Sequence, residues 1–262
     1  MHELAEKIKS SYSESEVLRG LEYALRFYDI INFNFKYERD FIRARLTKNG
    51  APWESTSDIY YPPPNLVSHG RLNEAGSPWL YLSLTLDTAL AEVCAKENDI
   101  VQVSTFTVKH DKNLRVGVIG EKFRIARGAG HFIQGDHALP IANLIRKFDA
   151  ESRLKTMAYL YPDLFFDEIL TDKNAASSKY LHSRLLAKLI LHKQPDIDGI
   201  MYHSVVDGGG QNIAVPANRA DEILGFLDTL LVKVLKVYPY GMYEVELVKS
   251  PKNILRSGEI LW

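Results

Sequence analysis

Apolar and polar positions change period several times along the chain. Leu18, Leu21, Leu25 and Tyr28 recur at helical spacing behind Ser13 and Glu16, a capping-box pair, so residues 1–38 read as an N-terminal helical extension. After FIRARL the pattern breaks. Gly50, Pro52 and the run Pro62, Pro63, Pro64 remove backbone donors and fix φ, which predicts mostly loop over residues 47–79. LYLSL then reads as a strand, a helix starts near Thr85 with Asp87 in its first turn, and IVQVSTFTVK alternates as a strand.

Residues 111–176 are the least regular, with a strand candidate at RVGVIG and a Gly/His-rich stretch from Arg127 to Pro140. Leu181, Leu185 and Leu189 mark a helix that must stop before Pro195. GIMYHSVV and NIAVP read as two strands around a DGGG reversal, Asp221 to Lys233 as a helix, and MYEVELVK as a closing strand. Strands and helices in this order predict an α+β protein, with residues 39–262 forming the main domain after the 1–38 extension.

Composition narrows the function classes. The chain has 262 residues, 46% apolar and 25% charged, as expected of a globular protein, and its net charge of −1 supplies no general pull toward nucleic acid or anionic lipid. The longest apolar stretch, FLDTLLVKVLKV, is broken by Asp228, Lys233 and Lys236, so no membrane span is expected. The single Cys94 and the charged opening segment point to the cytoplasm. No HExxH or CxxC pattern occurs, so no metal site is expected. The Gly-rich pieces GVIGEKFRIARGAG and DGGGQN lack the residues and context of a P-loop or dinucleotide fingerprint, and FIRARLTK lacks the aromatic interleaving of a single-strand nucleic-acid groove.

Four pieces stand out: FIRAR (41–45), the block from Pro62 through GRLN to LYLSLTLDTALAEV (62–93), DGIMYHS (198–204) and GGQNIAV (209–215). In this order they resemble the RES domain. Gly70, Arg71, Asn73, Gly76, Leu80, Tyr81, Thr88, Ala89 and Glu92 fall at that family's spacing. The resemblance implies an ADP-ribosyltransferase-like mixed β core with flanking helices. It also implies destruction of NAD⁺ at the nicotinamide–ribose bond, by phosphorolysis or hydrolysis, usually by the toxin of a pair with an Xre-type antitoxin. NAD⁺ is then substrate and not cofactor, phosphate a candidate co-substrate, and a homo-oligomer stays open. By motif position Arg43, Glu92 and Ser204 are the catalytic candidates; Arg71, Tyr81 and Asn73 are the substrate-binding ones. The chain departs from the family at Ile42, where many members have Tyr, at Val93–Cys94, where Arg is common, and at HSRLLA, which replaces a frequent Thr-Gln.

These residue types suit that chemistry. Cleaving a glycosidic C–N bond builds positive charge on the ribose, which a fixed carboxylate such as Glu92 stabilises most in the transition state. Guanidinium groups at Arg43 and Arg71 match a pyrophosphate, the Tyr81 ring offers nicotinamide a flat partner, and the Ser204 hydroxyl suits ribose or carboxamide. A plainer reading stays open at this point, with Glu92 and Lys96 as an exposed i,i+4 pair on the helix from Thr85. Two further readings are a RES-like module that binds NAD⁺, another nucleotide or a protein without turnover, and transfer of ADP-ribose to a macromolecule.

Overall fold

A computed structural model describes residues 1–36, 38–128 and 132–262. The N-terminal segment forms helices α1 (His2–Ser10) and α2 (Glu14–Leu25), then strand β1 (Ile31–Phe35). The helical expectation for residues 1–38 therefore holds for α1 and α2 and is corrected for Ile31–Phe35, which pairs antiparallel with β5 (Leu114–Val118). Short alternating INFNF gains its ladder only from that distant partner. Ser13 does occupy the N-cap of α2, but its side chain makes no cap bond; Ser11 Oγ donates to Glu16 instead, at 2.8 Å.

The remaining strands are β2 (Asp40–Leu46), β3 (Trp79–Ser83), β4 (Ile100–Val108), β6 (Gly199–His203), β7 (Gln211–Pro216), β8 (Leu224–Val237) and β9 (Tyr243–Lys249). They form one mixed sheet in the order β1-β5-β6-β7-β3-β2-β4-β8-β9, antiparallel except for β5 and β6. Strands β10 (Asn253–Ile254) and β11 (Ile260–Leu261) form a separate two-stranded ribbon. The α+β class is as expected, and residues 47–78 are mostly loop, with the four-residue α3 (Thr56–Ile59), one 3₁₀ turn and isolated bridges at Lys48–Ala51 and Ser55–Glu259.

One expected element is wrong. The helix placed over Asp221 to Lys233 is instead the short α9 (Ala217–Ile223) running directly into β8. The run FLDTLLVKVLKV satisfies both a helical stripe and a strand alternation, and its β-branched residues pair between β4 and β9. Thr229 shows why the strand wins: its hydroxyl lies 2.8 Å from Ser104 Oγ and 3.1 Å from Gln102 Nε2, a buried cross-strand network no surface helix would complete.

Helices cover both faces. Helices α1, α2, α7 (Arg153–Thr171) and α8 (Leu181–Lys193) bury Val17, Leu21, Phe166, Leu185 and Ile190 against Trp79, Ile200 and Tyr202 of one sheet face. Leu80, Leu82, Val116, Met201 and Ile213 pack on the other face, with α5 (Lys122–Ala126), α6 (Leu139–Glu151) and α9 near it. Helix α4 (Leu86–Glu92) sits on a third cluster with Ala44, Val103 and Val234. The parallel β5–β6 pair requires a crossover, and residues 119–198 supply it.

A charged knot ties that crossover to β6. His203 bonds Asp167 through Nδ1 at 2.8 Å and Glu121 through Nε2 at 3.2 Å, with Glu121 fully buried and also accepting from Gln211. Burial disfavours the imidazolium, but the hydrogen bonds to Asp167 and Glu121 outweigh it and raise the His203 pKa above its usual value. A raised folded-state pKa contributes stability that is complete below about pH 6.5 and disappears as pH climbs through the folded value. His203→Gln should therefore cost more stability at pH 6 than at pH 9 in urea denaturation; equal costs at both would show that the ring is neutral in the fold.

Candidate functional site

The sheet is nearly severed between β2 and β3. These neighbours share a single register pair, Ile42↔Ser83, while each is fully laddered on its other side, β2 with β4 and β3 with β7. Beyond that pair they diverge, and a cavity of about 570 Å³ opens between them, lined by Arg43, Arg45, Trp53, Arg71, Tyr81, Glu92, Tyr180, Tyr202 and Asn212 among others. A cavity of that size suits a nucleotide-sized ligand. Splaying leaves strand backbone unpaired, and Arg43 partly repairs this: its Nη1 donates to Tyr81 O across the gap at 2.8 Å.

Arg43 keeps a buried Nε with no hydrogen-bond partner among the described residues. Burial, with the charge of Arg45 adding to it, lowers its pKa to about 10, so the group remains cationic at neutral pH but lacks an anion. Arg45, two residues along the same strand face, stacks its guanidinium 4.3 Å from the centre of the Trp53 ring. Alternation in FIRAR already places both arginines on one face, which is the signal by which Arg45 could have been recognised.

Glu92 occupies the last turn of α4, whose end is fixed by its backbone. Cys94 adopts the left-handed conformation (φ 51°), Ala95 N bonds Leu90 O at 3.0 Å, and Cys94 N bonds Ala91 O at 2.9 Å, the Schellman arrangement. Lys96 therefore lies beyond the helix, its amide bonded to Asp99, and the i,i+4 pair with Glu92 does not form. Instead Glu92 Oε1 accepts from Ser204 Oγ at 2.7 Å and from Asn212 Nδ2 at 2.5 Å; Oε2 has no hydrogen-bond partner among the described residues. A carboxylate at a helix C-terminus faces the negative end of the helix dipole, so this position is held by its donors rather than by the helix.

Each donor is itself positioned. Asn212 Oδ1 accepts from Ser83 Oγ at 2.7 Å, its cross-strand partner on β3. Ser204 Oγ accepts from the amides of Val206 and Asp207. Asp207 in turn receives Thr88 Oγ1 of α4 at 2.7 Å, pinning the β6–β7 reversal to the helix that carries Glu92. A Cβ on Gly210 would lie 2.4 Å from Thr88 Oγ1, so this glycine of the DGGG turn serves close approach.

The structure thus brings Arg43, Arg71, Tyr81 and Glu92 to one cavity, with Ser204 buried behind Glu92. Arg71 spends Nη1 on the carbonyls of Leu170 and Asp172, at 2.9 and 3.0 Å, and sits 5.5 Å from the Tyr180 ring centre. Tyr81 OH donates to Asn73 Oδ1 and accepts from Leu72 N, which leaves its ring as the part offered to the cavity. Asn73 is 5% exposed and outside the cavity lining; its Nδ2 donates to Ser68 O and Glu74 O, which staples the 68–74 turn. Asn212 was the residue that the block GGQNIAV carried without its role being evident. Nothing in the sequence pattern marked Tyr180 or Trp53.

Tyr180 is held in an unusual way. Lys179 (φ 51°, ψ 39°) and Tyr180 (φ 58°, ψ 29°) are consecutive left-handed residues, and Tyr180 is the N-cap of α8 with no side-chain cap bond. Each such non-glycine residue costs about 1–3 kcal/mol.

The RES domain matches residues 43–228, most of the chain. The chain belongs to the RES-domain family. No curated protein matches it. Among solved structures the RES chain is similar to the crystal structure of the M. tuberculosis MbcT–MbcA toxin–antitoxin complex, at 13% identity over 81% of this chain and 92% of that one, with a TM-score of 0.40. So distant a likeness transfers no residue roles. The match from 43 to 228 contains Arg43, Arg71, Tyr81, Glu92, Ser204 and Asn212, and so spans the whole constellation described above. No helix among the described residues is long and apolar enough to cross a membrane.

Asn73→Ala should lower stability by about 1–3 kcal/mol, because it strips the Tyr81 OH and the carbonyls of Ser68 and Glu74 of their partner. Chemical denaturation measures this, and an unchanged midpoint would mean the turn is held without Asn73.

Proposed function

We propose that this RES-domain protein degrades NAD⁺ by cleaving the bond between ribose C1′ and the nicotinamide nitrogen, in a toxin-type role. The observation that carries the reading is Glu92: a carboxylate at the cavity wall, oriented through Oε1 by two donors, with Oε2 unengaged. Family membership supports the same substrate class, and the ADP-ribosyltransferase-like core that the resemblance implies fits a sheet parted around a pocket.

In this reading the C1′–N bond breaks with its electron pair passing to nicotinamide, which leaves neutral. The ribose becomes oxocarbenium-like, and Glu92 faces that charge. Two unit charges at 4 Å in an effective dielectric of about 20 interact by about 4 kcal/mol, a ceiling corresponding to roughly 10³ in rate. A phosphate oxyanion then bonds C1′ directly, with no proton to lose, or a water oxygen bonds C1′ and passes one proton to solvent. Ser204 and Asn212 act by holding the carboxylate still, since a misplaced charge would stabilise ground and transition states alike.

The arginines suit the anionic part of the substrate. Arg43 is buried, cationic and short of an acceptor, so a pyrophosphate oxygen would satisfy an N–H that otherwise costs stability. Arg45 adds a second cation on the same face, and Arg71 contributes what its carbonyl contacts leave free. A cell making such an enzyme needs it restrained, and an Xre-type antitoxin is the partner the family resemblance implies.

Purified protein incubated with NAD⁺ should release free nicotinamide, and adding phosphate identifies the acceptor: ADP-ribose 1″-phosphate for phosphorolysis, ADP-ribose for hydrolysis. Retained NAD⁺ binding with no nicotinamide under either condition would leave a binding module, and label appearing on protein would indicate ADP-ribose transfer.

Glu92→Gln keeps shape and removes charge, so turnover should fall by about two to three orders of magnitude with NAD⁺ binding largely kept. Lys96→Ala, outside the helix and the cavity, should leave turnover intact. If Glu92→Gln retains more than a tenth of wild-type turnover, the catalytic assignment of Glu92 is wrong.

A further inference from the structure

The left-handed pair at 179–180 is poorly suited to its place in the fold. An aromatic residue gains nothing from positive φ, which Gly or Asn would adopt at less cost, and Tyr180 makes no side-chain cap bond at the start of α8. Its ring nevertheless lines the cavity beside Arg71, in a wall that Tyr81 and Tyr202 share. Its backbone is secured from both sides: Tyr180 N donates to Ala175 O at 2.7 Å, and Tyr180 O accepts from Arg184 N at 2.9 Å. Arg71, anchored to the carbonyls of Leu170 and Asp172, holds the ring 5.5 Å from its own guanidinium. Strain retained against local preference, at a residue whose side chain meets a cavity, points to a use for that side chain.

We infer that Tyr180 is a specificity-determining residue, whose ring forms an aromatic wall for a planar heterocycle of the bound dinucleotide. The inference rests on the NAD⁺ reading and adds to it a residue outside the motif. The chemistry is shared by both ends of the substrate. The π-face of tyrosine attracts the cationic pyridinium of nicotinamide, and it stacks equally on the neutral adenine, where Arg71 nearby would favour the adjoining phosphate. Tyr202 is buried, so Tyr81 and Tyr180 are the wall's tyrosines whose rings can meet a ligand, and Tyr180 is the one that lies outside the motif.

Two variants separate this role from a structural one. Tyr180→Phe keeps the ring and should bind NAD⁺ within about threefold of wild type. Tyr180→Asn suits the left-handed backbone, which asparagine adopts more readily than tyrosine, so it should melt no lower than wild type while the Kd for NAD⁺, by calorimetry, rises at least tenfold. Competition by nicotinamide mononucleotide and by ADP-ribose then locates the ring: the competitor whose affinity falls in Tyr180→Asn carries the heterocycle that Tyr180 meets.

Unchanged NAD⁺ affinity in folded Tyr180→Asn overturns the inference, as does a loss of melting temperature that fully accounts for weaker binding. A wild type that releases no nicotinamide but binds ADP-ribose in a Tyr180-dependent way upholds the aromatic wall and removes only the catalytic reading. A wild type that turns over NAD⁺, with kcat/KM unaltered in Tyr180→Asn, does the reverse.

Discussion

Two adjacent strands that refuse to pair set the terms for this molecule. Continuous hydrogen bonding from β3 to β2 would close the sheet, and the cavity would not exist; with only Ile42 opposite Ser83, the strands part and expose backbone that something must satisfy. The side chain of Arg43 does so by reaching Tyr81 O. The same guanidinium thus bridges the breach and presents charge to what enters it, so structural repair and ligand recognition cannot be separated at this residue. On either side the strands are fully laddered, which confines the opening to one place.

Around that breach the fold accepts local costs. Glu92 sits at the wrong end of a helix dipole, Cys94 and Lys179–Tyr180 are left-handed without being glycine, and an Arg43 N–H is buried without an acceptor. None of these is explained by packing. Each borders the cavity or fixes a side chain that does, and the compensation comes from cross-strand and loop contacts: Ser83 to Asn212, Asp207 to Thr88, Leu170 to Arg71.

Much of this was legible in the residues. Proline and glycine punctuation marked the 47–79 loop, and Thr85 with Asp87 marked the start of α4. The motif blocks brought Arg43, Arg71, Tyr81 and Glu92 to one cavity. What escaped detection depended on partners far away in the chain. The segment 224–237 has a pattern equally good for helix or strand, and only β4 and β9 decide it. The Ile31–Phe35 strand is too short to declare itself before β5 is known. Asn73 fits the motif spacing but spends its amide inside its own turn, a distinction spacing cannot carry. Tyr180 was invisible because its conformation contradicts every local preference from which a reading begins.

The distances in sequence between Glu92 and its holders have a consequence for how the protein is born. Ser204 lies 112 residues and Asn212 120 residues beyond Glu92, on either side of the last reversal before β8. Between them and the carboxylate stands the long crossover, whose ends must find each other before β6 can pair with β5, a slow kind of closure. A ribosome therefore delivers Arg43, Tyr81 and Glu92 well before anything exists to aim the carboxylate. No nascent or C-terminally truncated chain lacking β7 can assemble this geometry, so the finished arrangement becomes available only once β7 has been made.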